Sequence, residues 1–187
     1  MRHRVHPDRG YVDPATLPQG PNGRALCRYC SAEVPKGKRT FCSDTCIHEW
    51  KVRSQPGYAA KQVLARDHGV CRSCGVDCIV LLQELKRLRS DERRERLGPA
   101  ASGSGMAHAT LPGDLDMPRF SARLAELGIT KGRRFLGQRL WEMDHILPVS
   151  EGGGVCGLEG LQTLCWSCHQ KETTELAGRR ALSKQRR

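Results

Sequence analysis

Residues Trp141–Thr173 read WEMDHILPVSEGGGVCGLEGLQTLCWSCHQKET. Trp141–Ile146 is a short strand candidate that stops by Pro148, because proline has no N–H for a ladder and a fixed φ. Ser150–Gly154 is a turn, Val155–Cys165 a second extended segment, and the chain from Trp166 onward suits a helix. The stretch therefore predicts a strand–strand–helix unit. Asp144 and His145 close the first strand, Cys165 and Cys168 fall where the second segment turns into the helix, and His169 lies in the first helical turn. Neighbours on an ideal strand point to opposite faces. The chain must bend at Asp144–His145 if both side chains are to serve one site.

These residue types suit the hydrolysis of a phosphodiester. That reaction needs a deprotonated water, a doubly charged ion on the phosphate and a stabilised leaving oxygen. Asp144 offers the oxygen ligand that a hard ion prefers, and an imidazole ligand keeps softer ions open, so Mg²⁺, Mn²⁺ and Ni²⁺ all remain candidates. His145, where it is not a ligand, titrates near neutrality and can act as general base. An isolated Asp-His pair is more often a solvated hydrogen bond; the Cys-x2-Cys-His that follows sharpens the reading.

Working outward, ten cysteines stand in 187 residues. Cys27-x2-Cys30 and Cys42-x3-Cys46 are separated by 11 residues, which suits a compact finger holding one tetrahedral zinc through four thiolates, with Pro35 and Gly37 in the turn. Cys71-x2-Cys74 and Cys165-x2-Cys168 are separated by 90 residues, so only the fold can pair them. Cys78 and Cys156 compete for ligand duty, although small buried hydrophobes are the preferred reading of both.

Composition supports a metal-stapled chain. Only 38% of the residues are hydrophobic and 5% aromatic, with 20 Gly and 10 Pro, which is thin for a core of this length. Met1–Gly20 lacks the apolar run of a secretory segment, and the longest apolar run, Cys78–Leu82, is too short to span a membrane. The expectation is a cytoplasmic protein, nucleoid-associated if bacterial, whose paired cysteines bind zinc rather than form disulfides. A net charge of +11, from 31 Lys+Arg against 20 Asp+Glu, favours nucleic acid as a partner over a membrane.

Along the chain, residues 1–23 suggest a disordered basic arm, 24–50 a four-cysteine zinc finger, 51–70 a connecting helix centred on Tyr58–Asp67 with Gly69 as its C′ residue, and 177–187 a basic tail. From Cys78 the side chains Cys78, Leu81, Leu82, Leu85 and Leu88 mark one helical face, with Glu92 and Arg96 spaced i,i+4 on the solvent side. Gly98–Asp114 has linker composition. Phe120, Leu124 and Leu127 form a stripe on a short helix over Pro118–Leu127, ended by Gly128. Residues 81–137 thus make a helical and flexible insertion within a unit spanning 71–176.

The segment DHILPVSEGGG…LEGLQTLCWSCHQKET resembles the HNH endonucleases, the ββα-metal nucleases. FCSDTCIHEWKVRSQPGYAAKQVLARDHGVCRSC upstream is similar to the zinc-bearing lead-in of one branch, which includes bacterial HNH proteins and the C-terminal nuclease domain of a eukaryotic annealing helicase. The resemblance covers Cys27–Cys78 and Trp141–Thr174. It implies an α+β fold: a zinc-stapled ββα-metal core with a small N-terminal four-cysteine zinc finger and a helical insertion. It further implies His145 as general base, Asp144 and His169 as ligands of a catalytic divalent ion such as Mg²⁺, and Cys71, Cys74, Cys165 and Cys168 around a structural zinc. A second structural Zn²⁺ belongs to Cys27, Cys30, Cys42 and Cys46, and DNA, held mainly through phosphates, is the implied substrate. One departure stands out: Gly160 occupies the place of the family's middle Asn, which orients the base rather than binding metal. Asn is expected to fit there whether or not the backbone is unusual, since it is among the few residues besides Gly that tolerate positive φ. Competing functions are a zinc-dependent nucleic-acid-binding module without cleavage and a protein-binding finger.

Overall fold

The computed structural model describes residues 12–97, 117–129 and 139–185. Its contacts divide the chain into two units, Met1–Asp67 with Met143–Gln162, and His68–Glu142 with Thr163–Arg187. The linker predicted at Gly98–Asp114 lies outside the described residues, as do Met1–Tyr11 of the arm.

In the first unit, part of the segment expected to be a loose arm is hydrogen-bonded. Asp13 caps a 3-10 turn at Pro14–Thr16, and Gln19 bridges Ala25. The finger follows, with Leu26 bridged to Glu33. Helix α1 (Asp44–Ser54) starts at Ser43, whose hydroxyl accepts the Cys46 N–H at 3.1 Å. Asp44 in the first turn and Lys51 and Arg53 in the last complement the helix dipole. The sequence reading missed this helix: Ser43 followed by Asp44 was the available signal. After Gln55 the chain re-enters a helix at Pro56, where a missing N–H costs nothing, giving α2 (Pro56–Asp67). Its end turns left-handed at His68 (φ 53°), one residue before the expected Gly69 (φ 78°).

Val52 of α1, Ala59 and Val63 of α2 and Leu161 form the core of this unit, with Tyr58, Met143, Cys156 and Leu158 packed around them. Arg66 fastens the chain before Leu161. Its guanidinium donates to the Leu158 carbonyl at 2.6 Å and the Leu161 carbonyl at 2.9 Å while pairing with Asp67.

In the second unit, α3 (Cys78–Leu97) buries Cys78, Leu81 and Leu85 as its periodicity predicts. Glu92 corrects the expectation of a solvent-side ion pair, because it is only 3% exposed. Its carboxylate accepts the N–H groups of Arg119 at 3.0 Å and Phe120 at 2.9 Å. Those are first-turn N–H groups of α4 (Pro118–Glu126), for which no residue of α4 itself provides a side-chain cap. A carboxylate from α3 therefore caps α4, where the dipole favours negative charge. Phe120 and Leu124 are buried, and Gly128 (φ +69°) ends the helix as predicted.

Strands β1 (Trp141–His145) and β2 (Leu161–Cys165) form an antiparallel two-stranded sheet. The second strand is shorter than the expected Val155–Cys165 segment: Leu158–Gly160 is a 3-10 turn. Helix α5 (Trp166–Gln185) follows β2 directly and runs through the segment expected to be a basic tail. The α+β class with a ββα core, two cysteine centres and a helical insertion is the fold observed. Among the described residues no helix is long and apolar enough to cross a membrane.

Candidate active site and cysteine centres

Asp144 and His145 end β1, both half-buried. The Asp144 carboxylate turns back and accepts the His145 N–H at 2.8 Å, which orients the carboxylate while both residues remain within the strand. Ile146 continues the link, its N–H donating to the Gly160 carbonyl at 2.9 Å. The loop between the strands reverses at Gly152 (φ +108°). A Cβ on Gly153 would overlap the Leu147 carbonyl, and the Gly153 N–H bonds the Pro148 carbonyl at 3.1 Å. His169 lies in the first turn of α5, in the second unit, whereas Asp144 and His145 belong to the first.

The backbone at Gly160 is ordinary, without a positive φ. The space for a side chain there is taken, since an ideal Cβ would meet Cys156 Cβ at 2.6 Å and Sγ at 2.8 Å. The expectation that Asn fits without rearrangement is therefore wrong. Cys156 is half-buried in the core of its unit, and burial, with Glu159 nearby, raises its thiol pKa, so it stays protonated.

The cysteine centres assemble in the expected sets, the first as its spacing predicts and the second as the resemblance implies. Among the described residues two groups bring their sulfurs within 4.8 Å of one another: Cys27, Cys30, Cys42 and Cys46, and Cys71, Cys74, Cys165 and Cys168. The sulfurs of Cys30, Cys42 and Cys46 are 3.3 to 3.7 Å apart, and those of Cys74 and Cys165 are 3.7 Å apart. A tetrahedron with metal–sulfur bonds of zinc length has edges of about 3.8 Å, so both sets fit the ion. No cysteine is in a disulfide.

The thiols within each set differ: neighbouring Cys46 and Cys30 push Cys42 up to about 12, burial raises Cys165 and Cys168, and one thiol in each set is lowered. Burial pushes the Cys27 thiol up, but N–H groups of Cys30, Cys42 and Tyr29 point at its sulfur, with the net result a pKa of about 6. Cys71 behaves in the same way: burial is opposed by N–H groups of Cys165, Cys74 and Ser73, and its pKa falls to about 7. Thiolate-directed N–H groups favour the form that binds metal. Burial and the neighbouring Cys71 and Cys74 push Cys78 up to about 12 as well; what sets it apart is position. Neither Cys78 nor Cys156 belongs to either sulfur group, in line with their reading as small hydrophobes.

Residues 132–175 match the model of the HNH endonuclease family. The protein named DNA annealing helicase and endonuclease ZRANB3 of Mus musculus is 33% identical over 185 residues, covering 94% of this chain. Its Homo sapiens counterpart is 30% identical over 168 residues, covering 85%. The chain spans only 15% and 14% of those two proteins. The crystal structure of the human ZRANB3 HNH domain is 29% identical, covering 71% of this chain and 97% of that one, with a TM-score of 0.36.

Proposed function

Because residues 132–175 carry an HNH endonuclease domain, we propose that this chain hydrolyses DNA phosphodiester bonds with a divalent ion, His145 acting as general base. The observation that carries this reading is that one matched segment holds Asp144, His145 and His169 together with Cys165 and Cys168. DNA is favoured by the +11 charge and by the name of the curated relatives, with phosphate contacts dominating.

A bound divalent ion supplies positive charge to the phosphate. Asp144 and His169 are the residues that would hold it. The Asp144 carboxylate is oriented by its bond to the His145 N–H, and each carboxylate oxygen carries lone pairs beyond the one used there. His145 accepts the proton of the attacking water, a task suited to an imidazole near neutral pH. Zinc in the two four-cysteine centres has a structural role: each centre is closed by four protein ligands, leaving no open position for substrate. In this reading residues 24–50 are the finger and 71–176 the nuclease domain, interrupted by the insertion.

The test is plasmid cleavage by the zinc-loaded protein in a series of Mg²⁺, Mn²⁺ and Ni²⁺, beside His145→Ala. Cleavage that requires both an added ion and His145 supports the proposal. Binding without cleavage under every ion would reduce the chain to a nucleic-acid-binding module, and cleavage by His145→Ala at the parental rate would remove the base assignment.

A further inference from the structure

Within the first unit, a cavity of about 30 Å³ is lined by residues including Arg53, Ser54, Met143, His145 and Cys156. It has room for about one water-sized oxygen. Most of its other walls are apolar, from Val52, Ala59 and Leu161. The Ser54 hydroxyl is committed, donating to the Trp50 carbonyl at 2.7 Å. Arg53 is therefore the cation of this cavity beside His145.

Arg53 is held from one side only. Its Nη1 donates to the Glu49 carbonyl at 3.1 Å and to the Glu49 carboxylate, and its guanidinium stands over the Tyr29 ring at 5.2 Å. A guanidinium has five N–H donors in a rigid fork. Nη1 accounts for two of them; among the described residues no bond is seen from Nη2 or Nε. The side chain is 24% exposed, so the fork is neither sealed in nor freely solvated. Its charge reaches the Cys156 thiol, and Glu159 acts on it as a second acidic neighbour.

We propose that Arg53 is a phosphate-binding residue of the active site, placing its Nη2 and Nε donors on non-bridging oxygens of the phosphodiester whose attacking water His145 activates. Paired N–H groups at fixed spacing match two phosphate oxygens, and one such oxygen is what the cavity admits. Glu49 then acts as the anchor that fixes the fork's angle, while the free edge faces substrate. The inference rests on the nuclease reading for its chemistry, though the phosphate contact itself needs no cleavage.

The experiment compares the parent with Arg53→Gln, Arg53→Lys and Glu49→Gln, each checked for zinc content and thermal unfolding. Two readouts are taken on one duplex of fixed sequence: single-turnover cleavage with Mg²⁺ or Mn²⁺, and affinity against salt with no divalent ion added and no chelator. Arg53→Gln is expected to slow the chemical step by about a hundredfold, the loss typical of one oriented donor. It should also lower the slope of log affinity against log salt by about 0.9, the value for one phosphate contact. Arg53→Lys keeps the charge but not the fork, so it should restore the salt slope and leave the rate at least tenfold down. Glu49→Gln keeps a side-chain oxygen for Nη1 but loses the charge, so it should slow cleavage by less than Arg53→Gln and leave the salt slope near the parent.

The inference is overturned if a folded Arg53→Gln keeps the parental rate and salt slope. It is also overturned if Glu49→Gln loses as much rate as Arg53→Gln, because the pair is then only a fold contact. If Arg53→Gln fails to fold, Arg53→Lys decides by the same rate criterion. If the parent cuts under no ion, the nuclease reading fails and the salt slope alone decides whether Arg53 holds a phosphate.

Discussion

Cys156 fills the space that a side chain at Gly160 would need, with its Cβ 2.6 Å and its Sγ 2.8 Å from the ideal Cβ position. Gly160 ends the short turn that follows Cys156, and its carbonyl holds Ile146, next to His145. A thiol packed on a bare Cα thus closes the loop behind the proposed base. Gly160→Asn should destabilise the protein by about 1–3 kcal/mol through overpacking. Gly160→Asn combined with Cys156→Ala should recover part of that loss, since residues in contact couple by about 0.5–3 kcal/mol. Thermal unfolding of the two single variants and the double variant measures the coupling. Strict additivity would mean that the residues do not share the space.

Zinc content gives the second prediction. Protein purified without chelator should carry about two zinc ions per chain, one for each four-thiolate set. Cys165→Ser should lose one ion and unfold at least the second unit, because metal binding in such a site is folding energy. Cys78→Ala and Cys156→Ala should both retain two ions. Elemental analysis beside circular dichroism checks all three, and loss of an ion from Cys78→Ala would reassign the ligands.

The cap that Glu92 places on α4 makes stability depend on acid. Burial opposes the carboxylate, but the N–H groups of Phe120 and Arg119, helped by the Arg119 and Arg96 charges, bring its pKa below the ordinary value. A depressed folded pKa gives stability that is full above the unfolded value of about 4.3 and lost as pH falls through the folded value. Glu92→Gln should therefore melt below the parent at pH 7, with the gap closing in acid below that range. Melting temperatures of both proteins across pH 3–7 test this, and a gap unchanged with pH would sink the capping account.

The loop between the strands supplies a matched pair of substitutions. Gly153→Ala drives a methyl into the Leu147 carbonyl, and backbone cannot step aside as a side chain can. At Gly154 the nearest atom to a new Cβ is Val149 Cγ1 at 3.4 Å, an ordinary contact. Gly153→Ala should cost about 1–3 kcal/mol, and Gly154→Ala should be close to neutral in thermal unfolding. Equal effects at the two positions would argue against the loop geometry.

How far the sequence led depended on the range of the forces involved. Both cysteine sets were legible because metal-binding spacing is local chemistry, and the resemblance joined the distant halves. The buried faces of α3 and α4 were legible from periodicity. Glu92 was misplaced because i,i+4 spacing to Arg96 looks the same whether or not another helix end lies above it. Arg66 escaped notice for a similar reason: its acceptors, Leu158 and Leu161, are main-chain carbonyls more than 90 residues away, and carbonyls leave no mark on a sequence. The conflict between Cys156 and Gly160 was equally hidden, since four-residue spacing across a 3-10 turn reveals no distances.

The two cysteine centres also set a clock for the growing chain. The first closes across residues 27–46 and has all its sulfurs once a short peptide has emerged. The second must wait for Cys165 and Cys168, with 90 residues made after Cys74. During that interval Cys71 and Cys74 are a half-built pair of thiols, exposed to oxidation or to the wrong metal. Closing the longer loop carries a modest extra entropy, rising only as the logarithm of its length. What separates the centres is order of arrival more than strength: the sulfurs of the finger are complete first, and those of the ββα core only after its last cysteines have emerged.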